Sequence, residues 1–258
     1  MTRFFKRLTL ITALIFLSSL SCHSVSANRL DIIIVAVHIE PPAIDFVDNR
    51  FVGRNVEVAR ALASALGKKV TFVNCPFARC FNMMKNGQAD LLIGLRMVEE
   101  RKAFVSYLPT PIQIQYLPLK FYVSRSSDIE INSYQDLATL TIGVLRGGSY
   151  FEPFDQDKNL QKIAATNHKQ LIDLLLKKRI DTFLEREESV HPWIDRQRFE
   201  QEFRIAHYQY DNAVASYIGL SKKSPHHKDF AKFSSALEVL VTSKAFDHLF
   251  GTIGLEQD

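Results

Sequence analysis

The sequence predicts an α/β fold of two lobes, each a largely parallel sheet with helices on its faces. Two observations lead there. Apolar, β-branched runs alternate with helical stretches, in the order β-α-β-α-β, between residues 31 and 95. The alternation then starts again in outline at Leu140.

The first residues read as an address rather than as structure. Arg3, Lys6 and Arg7 precede the apolar run "LTLITALIFLSSL" (residues 8–20), which is short for a bilayer span. Small residues Val25 and Ala27 follow, so residues 1–27 are expected to be a secretory signal peptide cut after Ala27. Cys22 has Ser19 three places before it, where a lipoprotein signal carries an aliphatic residue, so lipidation is not expected. The exported product is expected in the periplasm. Cleavage removes three of the 32 basic residues and none of the 28 acidic ones, leaving 29 against 28. A nearly neutral chain has no electrostatic footprint for nucleic acid.

The element order follows from local signals. "DIIIVAV" (residues 31–37) is continuously apolar and suits a strand buried on both faces. "GRNVEVARALASALGKK" reads as a helix with Asn55 as N-cap and Gly67 just past its end. "KVTFV" is the next strand. Pro76 opens a second helix, which ends at Asn86-Gly87, and "ADLLIGL" is the third strand. In the second lobe "LTIGVLR" is a strand followed by Gly147-Gly148-Ser149 and a short helix. "LQKIAA" is a candidate strand, Asn167 caps "HKQLIDLLLKK", and "RIDTFLE" is another strand. "LKFYVSR" (residues 119–125) reads as an extended crossing between lobes, "VASYIGLSKK" as a strand returning, and the stretch after His227 as helix. The expected division is 28–120 with 214–258 for the first lobe and 121–213 for the second.

Cys75 and Cys80 are the only cysteines after residue 27. An even pair in an oxidising compartment suggests a disulfide. With Pro76 as N-cap they fall at N′ and N4, positions whose side chains pack together. A two-cysteine metal site is the weaker reading, because no His or Cys lies nearby at ligand spacing.

Ligands of open parallel sheets bind beyond the carboxyl ends of the strands. After the first strand come His38 and Glu40. After the third come Arg96, Glu99 and Arg101. Arg146, Gly148 and Ser149 follow the first strand of the second lobe, and Arg186 and Glu187 follow "RIDTFLE". Any one set is an ordinary solvated loop; four at the same edge argue for a cleft that holds an anion.

The order of "PPAIDFVDNRFVGRNVEVARALASALGKKV", "NGQADLLIGLRMVEERKAFVSY", "LTIGVLRGGSYFEPF" and "LLLKKRIDTFLERE" resembles the bacterial extracellular solute-binding proteins, family 3. The resemblance implies a type II periplasmic-binding-protein-like clamp: two lobes, two hinge crossings and a ligand between them, serving an ABC importer. It places Arg101 on the arginine that grips the ligand carboxylate, a role that suits a planar guanidinium fork. It places Gly148 and Ser149 on a turn that also holds that carboxylate, at a helix N-terminus. Two positions depart from the family. Its ammonium-binding aspartate falls at Arg186, flanked by Glu185 and Glu187, and a serine or threonine falls at Arg96. Glu185, Glu187 or Glu40 are candidates for the displaced acid; otherwise the cleft favours a ligand with extra negative charge.

The function expected is capture of a small polar ligand, anionic or amino-acid-like, by a monomer without cofactor that serves an ABC permease or a membrane sensor. The alternative is an enzyme similar to cyclohexadienyl dehydratases, with Glu185, Glu187 or Glu40 as general acid. Other features have plainer readings. His226 and His227 are expected to be exposed. Glu187 and His191, spaced i, i+4, are only part of a metal site. Trp193 reads as core, and Phe46 as a candidate ligand cover.

Overall fold

The computed structural model describes residues 29–250, so the signal-peptide and cleavage readings, and residues 251–258, lie outside the described residues. In chain order the first lobe holds β1 (Ile32–Val37), the hairpin β2 (Asp45–Val47) and β3 (Arg50–Val52), α1 (Arg54–Ala65), β4 (Lys69–Asn74), α2 (Phe77–Asn86), β5 (Leu91–Leu95), β6 (Val105–Tyr107) and β7 (Gln113–Gln115). The second lobe holds β8 (Leu119–Ser124), β9 (Thr141–Leu145), β10 (Gln161–Ala165), α3 (His168–Leu176), β11 (Thr182–Glu185), α4 (Glu187–Val190), α5 (Arg196–Glu202) and β12 (Phe203–Tyr210). β13 (Val214–Ser221), α6 (Phe230–Thr242) and α7 (Asp247–Phe250) return to the first lobe.

The first sheet runs β4-β1-β5-β13-β6, with β7 paired to β13; the second runs β10-β9-β11-β8-β12. β1 lies parallel between β4 and β5, and β9 lies parallel between β10 and β11. The chain passes between the sheets at 116–118 and again at 211–213. Leu119–Ser124, read from the sequence as the crossing itself, is instead a strand of the second sheet, antiparallel to β11 and β12. Its alternation explains this: Leu119, Phe121 and Val123 enter one core and Tyr122 the other.

The period of two sorts β1 in the same way. Ile33, Val35 and Val37 pack against Val56, Leu62, Phe233 and Leu237, while Ala36 faces Cys80, Met84 and Leu92. Burying each such side chain contributes about 1.5–3 kcal/mol. Among the described residues no helix is long and apolar enough to cross a membrane.

α1 starts two residues earlier than the sequence suggested. Gly53, at φ 112°, is its N-cap, and a Cβ there would lie 2.5 Å from the Ala43 carbonyl oxygen. Asn55 therefore sits inside the first turn. α2 begins after Pro76, and Cys75 and Cys80 form a disulfide with Cα atoms 5.4 Å apart.

Candidate functional site

The strand "LLIGL" is buried except at Gly94. Gly94 has φ +83°, and a Cβ on it would meet the Asn55 amide at 2.6 Å. The glycine lets the first turn of α1 close over the strand end. Arg96 leaves that end toward the second lobe and donates to the Ser149 carbonyl at 3.3 Å.

A short 3-10 turn, Glu99–Ala103, presents Arg101. Glu99 pairs with Lys102 at 2.7 Å, which leaves Arg101 to the cleft. The Arg101 guanidinium stacks 4.1 Å from the centroid of Phe81, beside the disulfide, and donates to the Gly147 carbonyl at 2.8 Å. Burial lowers the pKa of both arginines; at Arg96 the charge of Arg186 adds to the effect. Both stay protonated, as arginines in proteins do.

On the second lobe, the turn after β9 differs from the expectation. No helix follows Ser149. The Gly148 N–H donates to the Leu145 carbonyl at 2.9 Å, and the Ser149 hydroxyl donates to Asp155 at 2.9 Å. Pro153 and Asp155 hold the segment as turns, with Asp155 also accepting from the Tyr150 N–H at 2.9 Å. Gly148 and Ser149 line the cleft, but without a helix dipole or a free donor of the expected kind.

β11 ends in Glu185, which is buried. It accepts a hydrogen bond from the Tyr150 hydroxyl at 3.3 Å and lies 3.4 Å from His168 Nε2. His168 is 1% exposed, and Glu40 of the first lobe lies 3.9 Å from the same nitrogen. Burial works against a charged imidazole here, but Glu185 and then Glu40 outweigh it and raise the His168 pKa to about 9. Glu40 also accepts from the Ser189 hydroxyl at 3.1 Å. Arg186 Nε and Nη2, like both ring nitrogens of His168, are buried with no hydrogen-bond partner among the described residues, but unlike His168 the Arg186 side chain has no carboxylate within ion-pair distance there.

Glu40, Arg96, Arg101, Gly148, Ser149, Glu185 and Arg186 all line one cavity of about 120 Å³ between the lobes. A second, of about 110 Å³, shares Glu40, Gly94, Arg96 and Arg186 with it and reaches Arg54 and Glu188. Glu187 lies elsewhere. α4 begins at that residue, so the strand alternation stops at Arg186 and Glu187 turns to Lys120, 3.0 Å away. Beside His191 it lines a separate groove. Phe46 is 45% exposed on its hairpin and packs on Phe51 rather than over the cleft. His226, expected at the surface, is fully buried and makes a 2.9 Å hydrogen bond with the Ile32 carbonyl.

A sequence profile of the bacterial extracellular solute-binding proteins, family 3, matches residues 33–250. The chain belongs to this family. Among curated proteins, none matches the chain. Solved structures share the fold of this solute-binding protein at low identity. An ancestral arginine-binding protein bound to arginine is 21% identical, with TM-score 0.72 over 88% of this chain and 100% of that one. A histidine kinase sensor domain with similarity to periplasmic binding proteins is 20% identical, with TM-score 0.71 over 84% and 93%. The substrate-binding protein of an amino acid ABC transporter is 18% identical, with TM-score 0.70 over 87% and 100%.

The lobes of this solute-binding protein touch across the cleft. Arg54 and Gln115 of the first lobe both donate to Glu188 Oε1 of the second, Arg54 at 2.9 Å. Sequence reasoning missed Glu188, Arg54, Tyr150 and His168. The last had a usable signal. His168 directly follows the N-cap Asn167, whose side chain accepts from the Gln170 N–H, and it comes just after β10. The strand-end rule, applied to β10 as to its neighbours, finds it.

Proposed function

We propose that the protein captures a small polar ligand, anionic or amino-acid-like, between its lobes and hands it to an ABC permease or a membrane sensor domain. The hinge lies in the crossings at 116–118 and 211–213. One observation carries the reading. Arg96 and Arg101 of the first lobe and Arg186 of the second surround one interlobe cavity, and among the described residues none forms an ion pair. Desolvated guanidiniums are costly without a counter-charge, and a bound anion supplies it. The family and the likeness to both a transporter component and a sensor domain support the reading.

The dehydratase alternative needs a carboxylic acid free to donate a proton into the cavity. Glu40 and Glu185 already accept hydrogen bonds within the wall. A binding role is therefore the better account. A thermal-shift screen of amino acids, dicarboxylates and small phosphorylated metabolites tests it, because a ligand specific to the folded state stabilises by RT ln(1 + [L]/Kd). At least one compound should raise the melting temperature of the wild type and not of Arg101→Ala. A screen in which nothing distinguishes the two proteins contradicts the proposal.

A further inference from the structure

We propose that the ligand of this cleft is a small dianion without an ammonium group, its second negative group held between Arg96 and Arg186. The inference rests on the binding role proposed above and narrows it.

The positive charge of this cleft is unmatched. Arg96 and Arg186 come from different lobes, yet both line both of the small cavities, and the charge of Arg186 depresses the pKa of Arg96. Among the described residues no carboxylate lies within ion-pair distance of either. Among the described residues, the Arg96 side chain donates to the Ser149 carbonyl, a neutral group, and to no other acceptor, and two nitrogens of Arg186 have no partner. Like charges facing each other in a desolvated site repel, and burial strengthens the repulsion. An anion between them relieves it and fills the empty donors, with the short charge-assisted bonds that guanidinium forks make to oxyanions.

An ammonium finds no equal welcome. The two carboxylates of the cavity share one imidazolium behind them, which leaves a single net negative charge facing the guanidiniums. Glu185 serves Tyr150 and His168, Glu40 serves Ser189 and also lies near His168, and that imidazole carries a proton at neutral pH. An ammonium placed near Glu40 would also sit beside two guanidiniums. Arg96, Arg101, Gly148 and Ser149 line both this cavity of about 120 Å³ and a larger one of about 520 Å³, space enough for a small molecule.

The probes are malonate, succinate and inorganic phosphate on one side and L-glutamine and L-arginine on the other, titrated calorimetrically into wild type, Arg96→Gln, Arg186→Gln and Arg186→Lys. At least one dianion should bind, and neither amino acid should bind as tightly. Arg96→Gln and Arg186→Gln should each weaken that dianion at least about 30-fold, as losing a desolvated charge pair does. Arg186→Lys keeps the charge and should retain more affinity than Arg186→Gln. Without ligand, Arg186→Gln should melt no lower than wild type, because it removes an unmatched buried charge; this also shows that the variant folds. The inference is overturned if no dianion of the set binds, if an amino acid binds more tightly, or if dianion affinity in both glutamine variants stays within about threefold, under 1 kcal/mol. Amino-acid binding that Arg101→Ala abolishes would overturn the dianion while leaving the binding role intact.

Discussion

Arg54 of the first lobe and Glu188 of the second form an ion pair at 2.9 Å across the cleft. The pair is mostly buried, and Gln115 shares the same carboxylate oxygen. It ties the lobes directly, without any ligand.

Glu188→Ala should therefore loosen the clamp. Removing a part-buried, charge-assisted bond at about 1–2 kcal/mol shifts an open–closed equilibrium roughly 5- to 30-fold toward open. Small-angle scattering of the ligand-free variant should show a larger radius of gyration than wild type. Superimposable profiles would mean that the pair does not hold the lobes.

The Cys75–Cys80 disulfide closes a short loop under α2, next to the Phe81 ring on which Arg101 stacks. Loop entropy alone makes such a bridge worth about 2 kcal/mol. Reduction should lower the melting temperature by about 4–8 °C for a chain of this size. A thiol assay on the denatured, unreduced protein lacking residues 1–27 should find no free cysteine; two free thiols would remove the bridge from the account.

His168 makes stability depend on pH. Its folded-state pKa, about 9, lies above the ordinary value near 6.5. Its contribution is thus fully present below about pH 6.5 and is lost as pH rises through 9. Glu185 and Glu40 face it as counter-charges, while burial, together with the charge of His168, lowers the pKa of the neighbouring His38. The melting temperature of wild type should exceed that of His168→Gln most at pH 6, and the gap should shrink by pH 9.5. A gap constant across this range would show that the imidazole is not charged in the folded protein.

What the sequence revealed was what local chemistry decides. The apolar run of β1, the Pro76 start of α2, the Asn167 cap and the Cys75–Cys80 spacing each act within a few residues, and each reappears in the structure. What it hid depends on distant partners. Gly53 takes the cap position from Asn55, at a positive φ where the Ala43 carbonyl leaves no room for a Cβ, and the Asn55 N–H donates to that carbonyl instead. The turn at Gly148 forms no helix because Asp155 takes the Ser149 hydroxyl and the Tyr150 N–H. Glu187 turns to Lys120, a residue 67 positions earlier in the chain. His168 looked like an ordinary first residue of a helix, and only the fold brings Glu185 and Glu40 to it.

The central claim is that arginines of the first lobe clamp an anionic group of the ligand in the cleft. Once a stabilising compound is known, its calorimetric titration into wild type, Arg101→Ala and Arg96→Ala tests this most directly, after melting curves confirm that all three fold. The account expects Arg101→Ala to lose about 2–5 kcal/mol of binding, some 30- to several-thousand-fold in Kd. If both variants bind within about threefold of wild type, under 1 kcal/mol, the arginines are not the clamp.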